Sequence, residues 1–292
     1  MRMIFIICGP TGSGKTEVAK RLSDYYHAPI LNADAFQVYK DMNIGTAKIS
    51  EYDPYYSRHY LLDIIEPSEA FSVMQYQTLF REKIKDLQGK YENIIVCGGT
   101  GLYIRASIYD YVFAEEKSPD YSDLEKLDND TLYEMLLKMD LVSAKTLHPN
   151  NRKRVIRAIS ICRNNELTKS EAIDKQEHKI IYDDVKIAMI NPDRELLYEN
   201  INRRVDEMFD KGLVEEVKSL LCKYELSTTA KAAIGYKEVL DYLDGKMSLD
   251  DCKELIKKRT RNYAKRQVTF FKNQFDLQMY KSGEELVKAN TK

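Results

Sequence analysis

Residues 9–16 read Gly-Pro-Thr-Gly-Ser-Gly-Lys-Thr, a spacing suited to holding a chain of phosphates. Gly9, Gly12 and Gly14, with Pro10, Thr11 and Ser13 between them, let backbone N–H groups converge on phosphate oxygens. Lys15 adds a point charge, and the Thr16 hydroxyl is of the kind that ligates Mg²⁺. A carboxylate follows at Asp34, directly after Ile30-Leu31-Asn32-Ala33. That position falls at the carboxyl end of a predicted strand, where ligands of open α/β sheets bind. Taken alone, such an Asp serves equally well as a helix cap or turn residue. The metal-binding Asp that ends a second buried strand in NTPases has no counterpart here. Ile94-Ile95-Val96-Cys97 runs instead into Gly98-Gly99-Thr100-Gly101, so ATP hydrolysis as the main activity loses weight.

The elements that must position these groups follow from periodicity. Met3–Cys8 is a short apolar run ended by Gly-Pro, as in a strand buried on both faces, and Lys15–Tyr25 then has helical spacing. Residues 29–33, 60–65, 93–97 and 186–190 are further predicted strands, with a helix over 72–87. This alternation predicts an α/β fold: a phosphate-loop core on a parallel sheet. From Tyr111 to about Tyr182 the pattern turns helical and charged, which predicts a small inserted helical domain. The expected division is a discontinuous core of residues 1–111 and 183–292 with an insert of 112–182. The C-terminal part reads as helical: Leu197, Ile201, Val205 and Met208 form one stripe, Gly212 punctuates it, and Ser248 with Asp251 opens a long helix.

Bulk properties set the bounds. The chain has 292 residues, 43% apolar and 31% charged, so it can bury a sizeable core and is neither disordered nor collagen-like. Its 45 basic and 46 acidic residues give a formal charge of −1, so any nucleic-acid site must come from local segregation. Such segregation exists: residues 253–272 hold eight basic side chains against Glu254 alone. Five scattered cysteines without a Cys-x-x-Cys argue against a disulfide framework or zinc ribbon and for a reducing, cytoplasmic setting. No apolar run reaches membrane-spanning length.

Asp34-Ala35-Phe36-Gln37-Val38-Tyr39 and Ile44-Gly45-Thr46-Ala47-Lys48 resemble the signature segment of the tRNA dimethylallyltransferases, the isopentenyl transferases that modify the adenosine 3′ of the anticodon. The resemblance continues through His59–Asp63, Phe71-Ser72-Val73, Gly98–Tyr103, His148–Asn151, Arg154–Ala158, Arg204–Met208, Ile234–Lys237 and Ala264–Gln267. These matches run in family order from residue 9 to about 272.

The resemblance implies dimethylallyl diphosphate on residues 9–16, with Mg²⁺ on Thr16. The adenine exocyclic amine is a poor nucleophile because its lone pair is delocalised, so a base that removes its proton helps. Asp34 takes that part by resemblance, with Thr100 beside it. Lys15, Mg²⁺ and Arg204 would stabilise charge growing on the departing diphosphate. The target base must be extruded from its stack. By the family pattern Gln37 and Tyr39 are candidates to hold it, although Tyr39 also suits simple packing. For tRNA the resemblance points to Asp34, Ala35, Phe36, Gln37 and Thr100, to Lys153, Arg154, Val155, Ile156 and Arg157, to Gly235, Tyr236 and Lys237, and to Lys265, Arg266 and Gln267. The basic run Lys257, Lys258, Arg259 and Arg261 is a further candidate. A monomer without a protein-only metal site is expected.

The chain departs from the family pattern at Ala35, where Ser is common, at Asp41 for Gly, at Asn200 for Arg and at Phe270 for Trp, and its insert is short. Ending soon after Gln267 without a Cys/His finger, it resembles the bacterial form. The rival readings are an enzyme that prenylates free AMP, ADP or ATP, a phosphate-loop small-molecule kinase, and a non-catalytic RNA-binding module.

Overall fold

The computed structural model describes residues 3–113, 121–164, 168, 170–171 and 178–291. β1 (Met3–Cys8) is the apolar run read from the sequence, buried along nearly its whole length. Gly9, Gly12 and Gly14 then take φ values of 143°, 81° and 84°, conformations in which a side chain is strained, and they turn the chain into α1 (Lys15–Tyr26). Val18, Ala19 and Leu22 pack α1 onto Phe5, Ile7 and Ile95 of the sheet. Each large apolar side chain buried there contributes roughly 1.5–3 kcal/mol.

β2 (Ile30–Asn32) and β3 (His59–Tyr60) follow. The run predicted as a strand over 60–65 stops after Tyr60 because Leu61 and Asp63 adopt φ values of 64° and 52°, which no β-ladder accommodates. Ile65 instead forms an isolated bridge with Tyr39. α2 (Val73–Gln88) starts from a capping box between Ser72 and Gln75, and leads to β4 (Asn93–Cys97) and α3 (Gly101–Ile108).

Residues Ile108–Ile181 form a compact unit of their own. Its described helices are α4 (Asn129–Met139), α5 (Leu141–Thr146) and α6 (Arg152–Asn164). Asp128 and Asp140 cap the first two, accepting from the N–H groups of Thr131 and Ser143 at 2.8 and 2.9 Å. Leu132, Leu136, Val155, Ile156 and Ile159 make the core of this unit.

The other unit comprises the chain up to Ser107 and from Tyr182 onward. Its later elements are β5 (Val185–Ile190), α7 (Arg194–Asp210), α8 (Leu213–Lys223), α9 (Thr228–Lys231), α10 (Tyr236–Leu243), α11 (Leu249–Gln274), β6 (Gln278–Tyr280) and α12 (Gly283–Asn290). Gly212 separates α7 from α8 with φ 92°, and Ser248 caps α11 by accepting from Asp251 N–H at 3.1 Å. All strand pairs are parallel, in the order β3-β2-β4-β1-β5-β6. β6 has no counterpart among the sequence expectations, since it is three residues at an edge with two of them exposed. Because β1 lies between β4 and β5, the phosphate loop opens at the centre of the sheet's carboxyl edge.

Candidate active site

Three loops leave the carboxyl ends of β1, β2 and β4 and are tied to one another. Gly98 passes so close to the Ala33 backbone that an added Cβ would collide with it. Thr100 N–H donates to Ala33 O at 3.1 Å, and the Thr100 hydroxyl accepts from Ala35 N–H at 2.9 Å. Asp34 sits between these two anchors. Its Oδ1 accepts from Phe36 N–H at 2.9 Å, and its own N–H donates to Asn32 Oδ1 at 3.1 Å, which fixes the carboxylate within a tight turn. From α11, the buried Gln267 accepts from Thr11 N–H at 2.9 Å and donates to Gly99 O at 2.8 Å.

A cavity of about 310 Å³ opens among these loops. Its polar lining includes Thr11, Lys15, Thr16, Asp34, Arg204, Tyr263 and Arg266. Ile201, Val205, Met208, Ile234 and Ile256 supply an apolar wall. Arg204 and Ala47 also border two adjoining hollows, of about 1080 and 480 Å³. Lys15 Nζ donates to Pro10 O at 2.8 Å, and Arg204 donates to Thr46 O at 3.2 Å. Burial pulls both cations below their ordinary pKa ranges, while the Asp34 charge pulls each back up. Tyr263 is pushed up to about 12, first by burial and then by the Asp34 charge. Cys97, also in the lining, is raised to about 11 by burial, which keeps its thiol protonated at neutral pH.

The loop fits a polyphosphate. The N-terminus of α1 offers N–H groups without intrahelical partners, and the buried Ser13 hydroxyl beside them has no hydrogen-bond partner. Among the described residues no three His, Cys, Asp or Glu side chains cluster as metal ligands. The Thr16 hydroxyl is therefore the protein group in the loop suited to a metal ion shared with a bound phosphate chain.

Several residues expected at the tRNA surface lie elsewhere. Val155 and Ile156 are buried in the insert's core, because α6 alternates them with the exposed Lys153, Arg154 and Arg157. Tyr236 is 1% exposed and gives its hydroxyl to Glu216 at 2.6 Å, and Gly235 is buried at the start of α10 with φ 98°. Gln267 faces the cavity rather than the surface. Tyr39 packs in the core. Gln37 spends its amide on Thr46 O at 3.1 Å. In the basic run, Lys257 pairs with Asp206 at 2.8 Å, Arg259 with the buried Glu238 and Arg261 with Asn202 at 2.5 Å, while Lys265 and Arg266 stay exposed. Sequence reasoning passes over Tyr263 and the apolar wall: the wall reads as ordinary helix core until the fold turns it toward the phosphate loop.

The family model described as IPP transferase matches residues 37–274, most of the chain. A tRNA dimethylallyltransferase of Anoxybacillus flavithermus is 42% identical over 97% of this chain and 92% of its own length. The one from Bacillus subtilis is 40% identical over 94% of this chain and 89% of its own. This chain belongs to the tRNA dimethylallyltransferase family.

Solved structures agree with the family's fold. The tRNA isopentenylpyrophosphate transferase of Staphylococcus epidermidis superposes with a TM-score of 0.71 at 35% identity, covering 100% of this chain and 98% of that one. A eukaryotic dimethylallyltransferase, described as acting on tRNA, gives 0.83 at 28% identity over 99% of this chain and 76% of that one. Among the described residues of this family member, no helix is long and apolar enough to cross a membrane.

Proposed function

We propose that the protein transfers the dimethylallyl group of dimethylallyl diphosphate to the exocyclic N6 amine of the adenosine 3′ of the anticodon in tRNA. The observation that carries this reading is the composition of the 310 Å³ cavity, where the phosphate loop and two half-buried cations share one space with a fixed carboxylate and an apolar wall. A diphosphate ester with a short branched hydrocarbon tail matches that set. The loop N–H groups, Lys15 and Arg204 take the diphosphate, and Ile201, Val205, Met208, Ile234 and Ile256 take the prenyl group. Mg²⁺, held by Thr16 and the diphosphate, would supply further charge neutralisation.

In the reaction the adenine nitrogen forms a bond to the first prenyl carbon as the carbon–oxygen bond to diphosphate breaks. The N6 proton passes to the Asp34 carboxylate, whose lone pairs are kept in place by the turn at Phe36. Lys15 and Arg204 face the negative charge that grows on the leaving group, and their partly desolvated setting strengthens that attraction. Phe36 lines the same cavity and offers a face to an extruded base. For the rest of the tRNA the exposed cations are the natural phosphate contacts: Lys153, Arg154 and Arg157 on the insert, and Lys237, Lys265 and Arg266 on the core unit.

The test is incubation with Mg²⁺ and radiolabelled dimethylallyl diphosphate, with unmodified tRNA or free AMP as acceptor in parallel. Label is expected in tRNA and lost when the target adenosine is replaced. Label in AMP alone would overturn the tRNA assignment, and label in neither would overturn prenyl transfer.

A further inference from the structure

The loop Asn43–Lys48 borders the cavity and is gripped from outside it by one side chain. Glu216, on α8, accepts hydrogen bonds from three consecutive backbone N–H groups: Asn43 at 3.0 Å, Ile44 at 2.7 Å and Gly45 at 3.2 Å. It accepts a fourth from the Tyr236 hydroxyl at 2.6 Å. The Tyr236 ring lies against Gly45, where any Cβ would strike it, so the loop can sit this low only with glycine at that position. At its other end the loop is held by Lys48, whose side chain is 1% exposed and which donates to Asp63 and Tyr39 O, each at 2.5 Å.

What this grip holds is a carbonyl in the site. Thr46 O accepts from Gln37 at 3.1 Å and from Arg204 at 3.2 Å. Arg204 is the cation that borders the cavity and both adjoining hollows. A guanidinium on a long flexible stem acts on a developing charge only if it is already in place, and displacing such a group by about 1 Å can cost on the order of 10²-fold in rate.

We infer that Glu216 is a positioning residue for diphosphate binding and departure: it fixes the loop Asn43–Gly45, and through the Thr46 carbonyl it aims Arg204 at the phosphate site. Tyr236 contributes from beneath by orienting the Glu216 carboxylate. Glu216 itself is not among the residues that line the cavity. The inference rests on the diphosphate site of the proposed function and adds a residue to it.

The experiment measures the dissociation constant of inorganic diphosphate with Mg²⁺ by calorimetry, on the full chain, so that it reads the site without any acceptor. Glu216→Ala should weaken binding about tenfold and Tyr236→Phe about threefold, with Glu215→Gln, a neighbour on the same helix, as a control within about twofold of wild type. In an Arg204→Ala background, Glu216→Ala should cost less than about twofold, since its effect travels through the arginine. In prenyl transfer, kcat should fall for Glu216→Ala while KM for tRNA stays within about twofold. Should Glu216→Ala fail to fold, as judged by its melting curve, Tyr236→Phe is carried through the same cycle. Undiminished diphosphate binding in a folded Glu216→Ala, or effects that simply multiply with that of Arg204→Ala, would overturn the inference. A wild type that binds diphosphate as described but never labels tRNA would instead count against the proposed function, leaving the diphosphate cycle to decide the role of Glu216.

Discussion

Gln267 grips the phosphate loop through Thr11: across 256 residues of sequence its side-chain oxygen accepts the Thr11 N–H at 2.9 Å. The same amide donates to Gly99 O at 2.8 Å, so a residue of α11 bridges the ends of β1 and β4. Gly99 is buried and Thr11 half-buried, and removing the amide takes away the partner of each, at a cost of about 1–3 kcal/mol for a buried group left unsatisfied.

Gln267→Ala is therefore expected to raise KM for dimethylallyl diphosphate about tenfold, because the loop loses its brace, with a smaller change in KM for tRNA. Steady-state kinetics with each substrate varied in turn checks this. An effect confined to tRNA would return Gln267 to the RNA surface.

The exposed cations of α6 make a separable contribution. Replacing Lys153, Arg154 and Arg157 together by Ala should raise KM for tRNA and flatten the dependence of binding on salt, by about one unit of logarithmic slope for each phosphate no longer neutralised. At saturating tRNA, kcat should hold within about twofold. Val155→Ala or Ile156→Ala should instead lower the melting temperature, since both side chains are in the insert's core.

His59 gives the fold a pH dependence. It is half-buried, its Nδ1 lies 2.8 Å from Tyr55 O, and burial lowers its pKa from the ordinary 6.5. In the window between the lowered value and 6.5 the unfolded chain binds the extra proton, so stability rises with pH there. The neutral imidazole's contribution is complete above the unfolded value and is lost as pH falls below it. Denaturant unfolding at a series of pH values between about 7.5 and 5.5 should show a shallower slope in His59→Gln than in wild type.

The parts of this molecule that were legible in the sequence are those written in local patterns. The strand, phosphate loop and helix of residues 3–26 could be read directly because apolar run, glycines and helical spacing succeed one another without interruption. The Ser248 cap was legible for the same reason. The run from Tyr60 to Ile65 misled because its hydrophobicity says nothing of the left-handed turns at Leu61 and Asp63. β6 lacks the length or alternation to announce itself. In the site, Lys15, Asp34 and Arg204 line one cavity, whereas Tyr236 and Gln267 are buried and hydrogen-bond other segments. A motif marks that a residue matters, and only the fold shows whether its side chain meets the ligand or another loop. Glu216 is the extreme case, since three of its four partners lie on a segment far from it in sequence.

The most direct test of the account is single-turnover prenyl transfer by Asp34→Asn and Asp34→Ala with tRNA and Mg²⁺–dimethylallyl diphosphate both saturating. Asn keeps the shape and the acceptor for Phe36 N–H but cannot take the N6 proton. Both variants should bind tRNA and diphosphate within about threefold of wild type, yet transfer the prenyl group some 10²–10⁴ times more slowly. A single-turnover rate for Asp34→Asn close to that of wild type would contradict the assignment of Asp34 as the base.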